Sequence, residues 1–157
     1  LVPSDCQDIS LIEFEGFPLN TLFSNLSQLP YKSMTIVLDA CFSGVTEKGS
    51  LFKNASPVYI KNIDQLFYDE KASIFASCQS DQISSWYPQQ QHSLFTFYFL
   101  KGIQGDANRD RDSQTLNFAE LRDYLIEQVP YQARRLHNRT QIPEINGRFD
   151  KPIVMYK

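Results

Sequence analysis

No apolar run among these 157 residues approaches the ~18 residues needed to span a membrane as a helix. Basic blocks are also missing. The 15 Lys and Arg and 18 Asp and Glu are mixed along the chain, net charge is −3, and nucleic-acid binding therefore has no electrostatic footprint. Three cysteines, Cys6, Cys41 and Cys78, form an odd set without a CxxC pair. That excludes a standard zinc site, and it fits a reduced, cytoplasmic compartment better than a disulfide scaffold. The first residues, Leu1-Val2-Pro3-Ser4-Asp5, have neither a basic start nor an apolar core, so they are not a signal peptide. No Met opens the chain, which reads as part of something longer. No Gly-rich loop follows either apolar strand-like run, which argues against a flavodoxin-like phosphate-binding domain.

What is present is ordinary globular material, 42% hydrophobic and 13% aromatic, enough for one domain with a core. The most informative stretch is Asp39-Ala40-Cys41-Phe42-Ser43-Gly44, directly after Thr35-Ile36-Val37-Leu38. An uncharged, β-branched run reads as a strand buried on both faces, and the Ser-Gly pair breaks it. Cys41 thus falls at the carboxyl end of a strand, where open α/β sheets place their ligands. A carboxylate, a thiol and a small turn suit a cysteine nucleophile beside a pocket. They suit a buried structural cysteine equally well.

Around this strand the pattern alternates. Apolar spacing predicts a helix over Leu19–Leu29, closed by Pro30. A long polar loop follows from Phe42 to Asp64. Ala72–Cys78 reads as a second buried strand, Gln79–Gln91 as a loop and His92–Ile103 as an apolar helix. Asn117–Val129 is the clearest helix, with Asn117 and Glu120 as a capping box and Pro130 as its limit, although Tyr131–His137 can add a turn. Lys151–Tyr156 reads as a last strand. Strands alternating with helices indicate an α/β layered domain.

In this order, three stretches resemble the caspase-like cysteine peptidases: caspases, metacaspases and bacterial orthocaspases. Leu1–Asp5 is similar to a family segment shortly after the catalytic histidine. Thr35–Gly44 is similar to the strand and loop bearing the nucleophile. Ala76-Ser77-Cys78, His92-Ser93-Leu94-Phe95-Thr96 and Phe118-Ala119-Glu120-Leu121 resemble the smaller, C-terminal half of the catalytic domain. The resemblance implies a three-layer α/β/α sandwich with a mostly parallel sheet, its first strands upstream of Leu1. Caspases proper carry Gln-Ala-Cys at the nucleophile, where this chain has Asp39, and metacaspases usually follow the Cys with His, where it has Phe42. The Gly-His-Gly segment of the family's general base is absent and is expected before Leu1.

The resemblance assigns Cys41 as nucleophile and puts Asp39 in the pocket for the residue before the cut. It implies cleavage after Arg or Lys, since a carboxylate accepts Arg bidentately and Lys as a point charge. The contrasting role for Asp39 is to tie down its own loop. Ser77 and Asp81, at the end of the second strand, are the further substrate-binding candidates, although Asp81 also fits a loop cap. Cys78 reads as structural, and His92 and His137 as helix-end residues. If the pocket accepts basic residues, the long loop with Lys48 and Lys53 is a candidate self-processing site. Asp106, Asn108, Asp110 and Asp112 superficially resemble the start of a calcium loop, but Arg111 stands where Gly is needed and the twelfth position is Asn117. A polar turn is the default there, and no cofactor is expected. Partners are a peptide or protein substrate and the upstream segment carrying the histidine. The alternative is a non-catalytic caspase-like module that binds or regulates other proteins.

Overall fold

The computed structural model describes residues 12–40, 45–46, 49–50, 69–79, 81–110 and 112–156. A single turn, α1 (Ile12–Glu15), precedes α2 (Leu19–Ser27), and β1 (Met34–Leu38) follows. Next come β2 (Val45–Thr46) and β3 (Gly49–Ser50), which pair with each other, and then β4 (Ala72–Ala76). The hairpin β5 (Trp86–Tyr87) and β6 (His92–Ser93) leads into α3 (Leu94–Lys101). Then β7 (Thr115–Asn117), α4 (Phe118–His137), β8 (Glu144–Asn146) and β9 (Pro152–Met155) complete the order.

The main sheet runs β1-β4-β8. β1 and β4 are parallel, in register from Met34 opposite Ala72 to Leu38 opposite Ala76. β8 joins β4 antiparallel through Ile74–Asn146, Phe75–Ile145 and Ala76–Glu144. The described sheet is therefore mixed, whereas the sequence predicted a mostly parallel one. Every residue of β4 is buried. Its alternate side chains enter two separate clusters, as a period of two requires. Ala72, Ile74 and Ala76 pack with Ile36 of β1 and with Leu19 and Phe23 of α2. Phe75 packs the other way, among Leu94, Phe95 and Tyr98 of α3 and Phe118, Leu121 and Leu125 of α4. Its ring meets Phe99 edge-on at 5.5 Å and Phe118 at 5.2 Å.

Three sequence expectations change. β1 is not buried on both faces: Ile36 faces α2, but Thr35 is exposed and Val37 is 42% exposed. The helices that cover Phe75 lie over β4 and leave Val37 outside the cluster. His92 does not open a helix. It lies on β6, and the N-cap of α3 is Ser93, whose side chain accepts from the Thr96 N–H. Pro130 does not end α4, which continues to His137. A proline removes one N–H from the helix ladder, but Val129 and Ala133 on either side are fully buried, and their packing holds the chain helical across the gap. The expected capping box is present, with Asn117 Oδ1 accepting from Glu120 N–H at 2.9 Å and Glu120 Oε2 from Asn117 N–H at 3.0 Å. The expected last strand is also present, as β9, and it pairs with β7.

Gly102 follows α3 where that helix crosses α4, and a Cβ there would lie 2.6 Å from Leu121 Cδ1 and 3.2 Å from Tyr124 Cδ1. At the amino end of β1 and β4, Lys151 Nζ donates to the carbonyls of Met34 at 3.0 Å and Lys71 at 2.8 Å. Beside it, Tyr31 Oη and Lys71 N–H both donate to the Asp69 carboxylate.

Gly102→Ala is expected to destabilise the fold by about 1–3 kcal/mol through overpacking, measured by urea denaturation. Two phenols should titrate late. Burial and then the Asp69 hydrogen bond and charge push Tyr31 up to about 12, and burial, with the charge of Asp106 behind it, does the same to Tyr124. A phenol held protonated only in the folded state contributes stability that is complete below pH 10 and is lost as pH rises toward about 12. An absorbance titration of phenolate should show both, and Tyr31→Phe and Tyr124→Phe should each remove one.

Candidate functional site

At the carboxyl ends of β1 and β4, the chain leaves the sheet through Asp39-Ala40 on one strand and Ser77-Cys78 on the other. The two exits are tied together. Ser77 N–H donates to Leu38 O at 2.9 Å, which extends the parallel ladder by one bond. Ser77 Oγ, fully buried, donates to Ala40 O at 3.3 Å. The residue before Cys41 is thus fixed to the central strand. Cys41 itself, the loop containing Lys48 and Lys53, and Leu1–Asp5 lie outside the described residues.

Ser77 is therefore placed as a support for Asp39-Ala40, and its hydroxyl is buried. Cys78 is also fully buried, with Sγ 3.4 Å from Gln82 O, in keeping with a structural cysteine. Asp81 is exposed in the turn beyond. His92 is exposed on β6 opposite Tyr87, and His137 is half-buried at the far end of α4.

Asp39 is exposed, and its carboxylate is the meeting point of three hydroxyls. Ser84 Oγ donates to Oδ1 at 2.8 Å, while Ser93 Oγ and Thr96 Oγ1 both donate to Oδ2. These donors come from the loop after β4, from β6 and from the first turn of α3. The partial positive charge at the amino end of α3 adds to them. The contrasting expectation had Asp39 tying its own loop through backbone N–H groups. Among the described residues, its partners are side chains 45 to 57 residues away. Across the hairpin from Ser93 stands Trp86, 47% exposed.

A second buried connector, Gln141, joins the same segments. It is fully buried, its Nε2 donates to Ser77 O at 3.0 Å, and its Oε1 accepts from Ser85 N–H at 2.9 Å. Ile142 N–H donates to Gln82 Oε1 at 2.6 Å, and Gln79 N–H to Ile142 O at 3.0 Å. The loop from Gln79 to Ser85 is thereby stitched to the chain that enters β8.

Sequence reasoning missed Ser84, Ser93, Thr96 and Gln141. Ser93 carried a local signal, as a hydroxyl residue immediately before an apolar run. Ser84, Thr96 and Gln141 act only through partners distant in sequence, and no local pattern marks them.

The calcium-like segment is occupied by its own turns. Asn108 Oδ1 accepts from Asp110 N–H and Asp110 Oδ1 from Asp112 N–H, each at 3.1 Å, and Asp106 pairs with Lys101 at 3.3 Å. Among the described residues, no group of three or more His, Cys, Asp or Glu is placed to hold a metal ion, and no helix is long and apolar enough to cross a membrane.

Gln141→Met should cost about 2–4 kcal/mol, because it strands a buried carbonyl and a buried N–H, each unmade bond costing ~1–3 kcal/mol. Chemical denaturation measures this.

Residues 1–154 match the caspase domain family. No curated protein and no solved structure matches the chain. The match takes in all three stretches quoted from the sequence, together with the strand ends, the hydroxyl cluster and the Gln141 bridge. The chain belongs to the caspase domain family, and its general function is that of a cysteine-peptidase-like domain.

Proposed function

We propose that this domain is a cysteine endopeptidase that cuts after Arg or Lys, with Cys41 as nucleophile, Asp39 in the pocket for the residue before the cut, and a histidine upstream of Leu1 as general base. The observation that carries the reading is the family match over residues 1–154, within which Asp39-Ala40-Cys41 follows a strand end braced by Ser77. The complete domain is an α/β/α sandwich whose further strands lie on upstream sequence.

The chemistry follows from the thiol. Free cysteine has a pKa of ~8.5, so at neutral pH an imidazole must take its proton. The Cys41 thiolate attacks the scissile carbonyl, and the tetrahedral oxyanion accepts from the Cys41 backbone N–H, a donor worth roughly 3 kcal/mol. The C–N bond then breaks, and the imidazolium gives its proton to the leaving amine. Water, deprotonated by the same imidazole, attacks the thioester and returns the thiol. Ser77 holds the Ala40 carbonyl and with it the approach to Cys41, and Asp81 is the further acidic candidate for binding substrate.

The test is hydrolysis of fluorogenic peptides ending in Arg, Lys or Asp by the protein including the sequence upstream of Leu1, beside its Cys41→Ala form. Turnover of Arg and Lys peptides, abolished in Cys41→Ala, is expected. Turnover of Asp peptides alone would leave Cys41 standing and remove Asp39 from the pocket. No turnover would favour a non-catalytic module.

A further inference from the structure

An ionised carboxylate has about four acceptor positions, two on each oxygen. At Asp39 three are filled: one on Oδ1 by Ser84, and both on Oδ2 by Ser93 and Thr96. All three groups are hydroxyls facing an acceptor without a proton of its own, so all three donate. Ser93 Oγ additionally accepts from Thr96 N–H at 3.1 Å, which leaves its proton directed to Asp39. The carboxylate is exposed, so it can be approached from solvent, and with the bonds from the described residues in place at most one acceptor position remains, on Oδ1.

We propose that Ser84, Ser93 and Thr96 are positioning residues that set specificity by restricting Asp39 to a single direct contact with a substrate cation. This rests on the reading of Asp39 as the pocket acid. Arg normally gains over Lys at a carboxylate because its planar fork reaches both oxygens. With Oδ2 filled, that second bond has no acceptor. Lysine, a compact ammonium, needs one oxygen only. The pocket therefore takes Lys and Arg with similar strength.

The three hydroxyls are not equivalent. Removing Thr96 Oγ1 opens one position on Oδ2 beside the one already open on Oδ1, and a guanidinium can then bridge both oxygens. Removing Ser84 Oγ opens a second position on the same oxygen, which gives the fork nothing new. Thr96→Val keeps the side-chain shape, and Thr96→Ser keeps the hydroxyl.

The experiment measures binding of a Lys peptide and an Arg peptide, identical otherwise, by calorimetry. It uses the protein including its upstream sequence in the Cys41→Ala form, so that recognition is read without turnover. Affinities for the two peptides are expected within about threefold of each other. Thr96→Val should favour Arg over Lys by roughly tenfold, the scale of one charge-assisted hydrogen bond. Thr96→Ser and Ser84→Ala should leave the ratio near its starting value, and thermal melts confirm folding. An Arg preference already near tenfold in the parent, or an unchanged ratio in Thr96→Val, would overturn the inference. Asp39→Asn binding both peptides undiminished would overturn it together with the pocket reading. Normal binding ratios with no hydrolysis by the Cys41 form would support it and sink only the peptidase.

Discussion

Burial of β4 on both faces is the constraint from which the rest of the architecture follows. A five-residue strand with no exposed position cannot present any side chain to water, so each face needs its own cover. Alternation sends Ala72, Ile74 and Ala76 to one side and Ser73 and Phe75 to the other. On the first side, Leu19 and Phe23 of α2 pack with Ala72, Ile74 and Ala76. The second side is governed by one large ring, Phe75, and the aromatic residues of α3 and α4 close around it. Fully burying a side chain of that size contributes roughly 1.5–3 kcal/mol, so Phe75 alone is a sizeable part of a stability margin of ~5–15 kcal/mol.

The same strand determines how the candidate site is assembled. Because β4 ends in the buried pair Ser77-Cys78, its last polar groups must be satisfied internally. Ser77 meets this requirement three ways: its N–H on Leu38, its hydroxyl on Ala40 and its carbonyl on Gln141. Each bond also fixes a neighbouring segment, so the requirement to satisfy a buried strand end is what assembles the exits of β1, β4 and the entry to β8. Asp39 performs the matching task on the exposed side, where three hydroxyls from three segments converge on one charge. Site and scaffold are thus connected by hydrogen bonds more than by apolar contact.

How much of this was readable in the sequence depended on whether the cause was local. The capping box at Asn117 and Glu120 was legible because its partners lie three residues apart. β4 was legible because five uncharged residues have no amphipathic alternative. The family was legible from motifs in fixed order, and residues 1–154 bear that out. Pro130 misled, since the rule that proline ends a helix considers only the missing N–H, while Val129 and Ala133 are held by tertiary packing. β8 was invisible: Glu144-Ile145-Asn146 has a single apolar residue and becomes a strand only by pairing with β4. The hydroxyl partners of Asp39, 45 to 57 residues away, depend wholly on the tertiary fold.

Ser93 carries two duties on one oxygen atom, accepting from Thr96 N–H to cap α3 and donating to Asp39. A residue so placed is constrained twice, and change there disturbs helix and carboxylate together. Ser84 has no helix to hold. In divergence from a common ancestor, the side chains of Ser84 and Thr96 can therefore change without removing the side-chain cap of α3, while Ser93 is free to change only after another group has taken over the helix end.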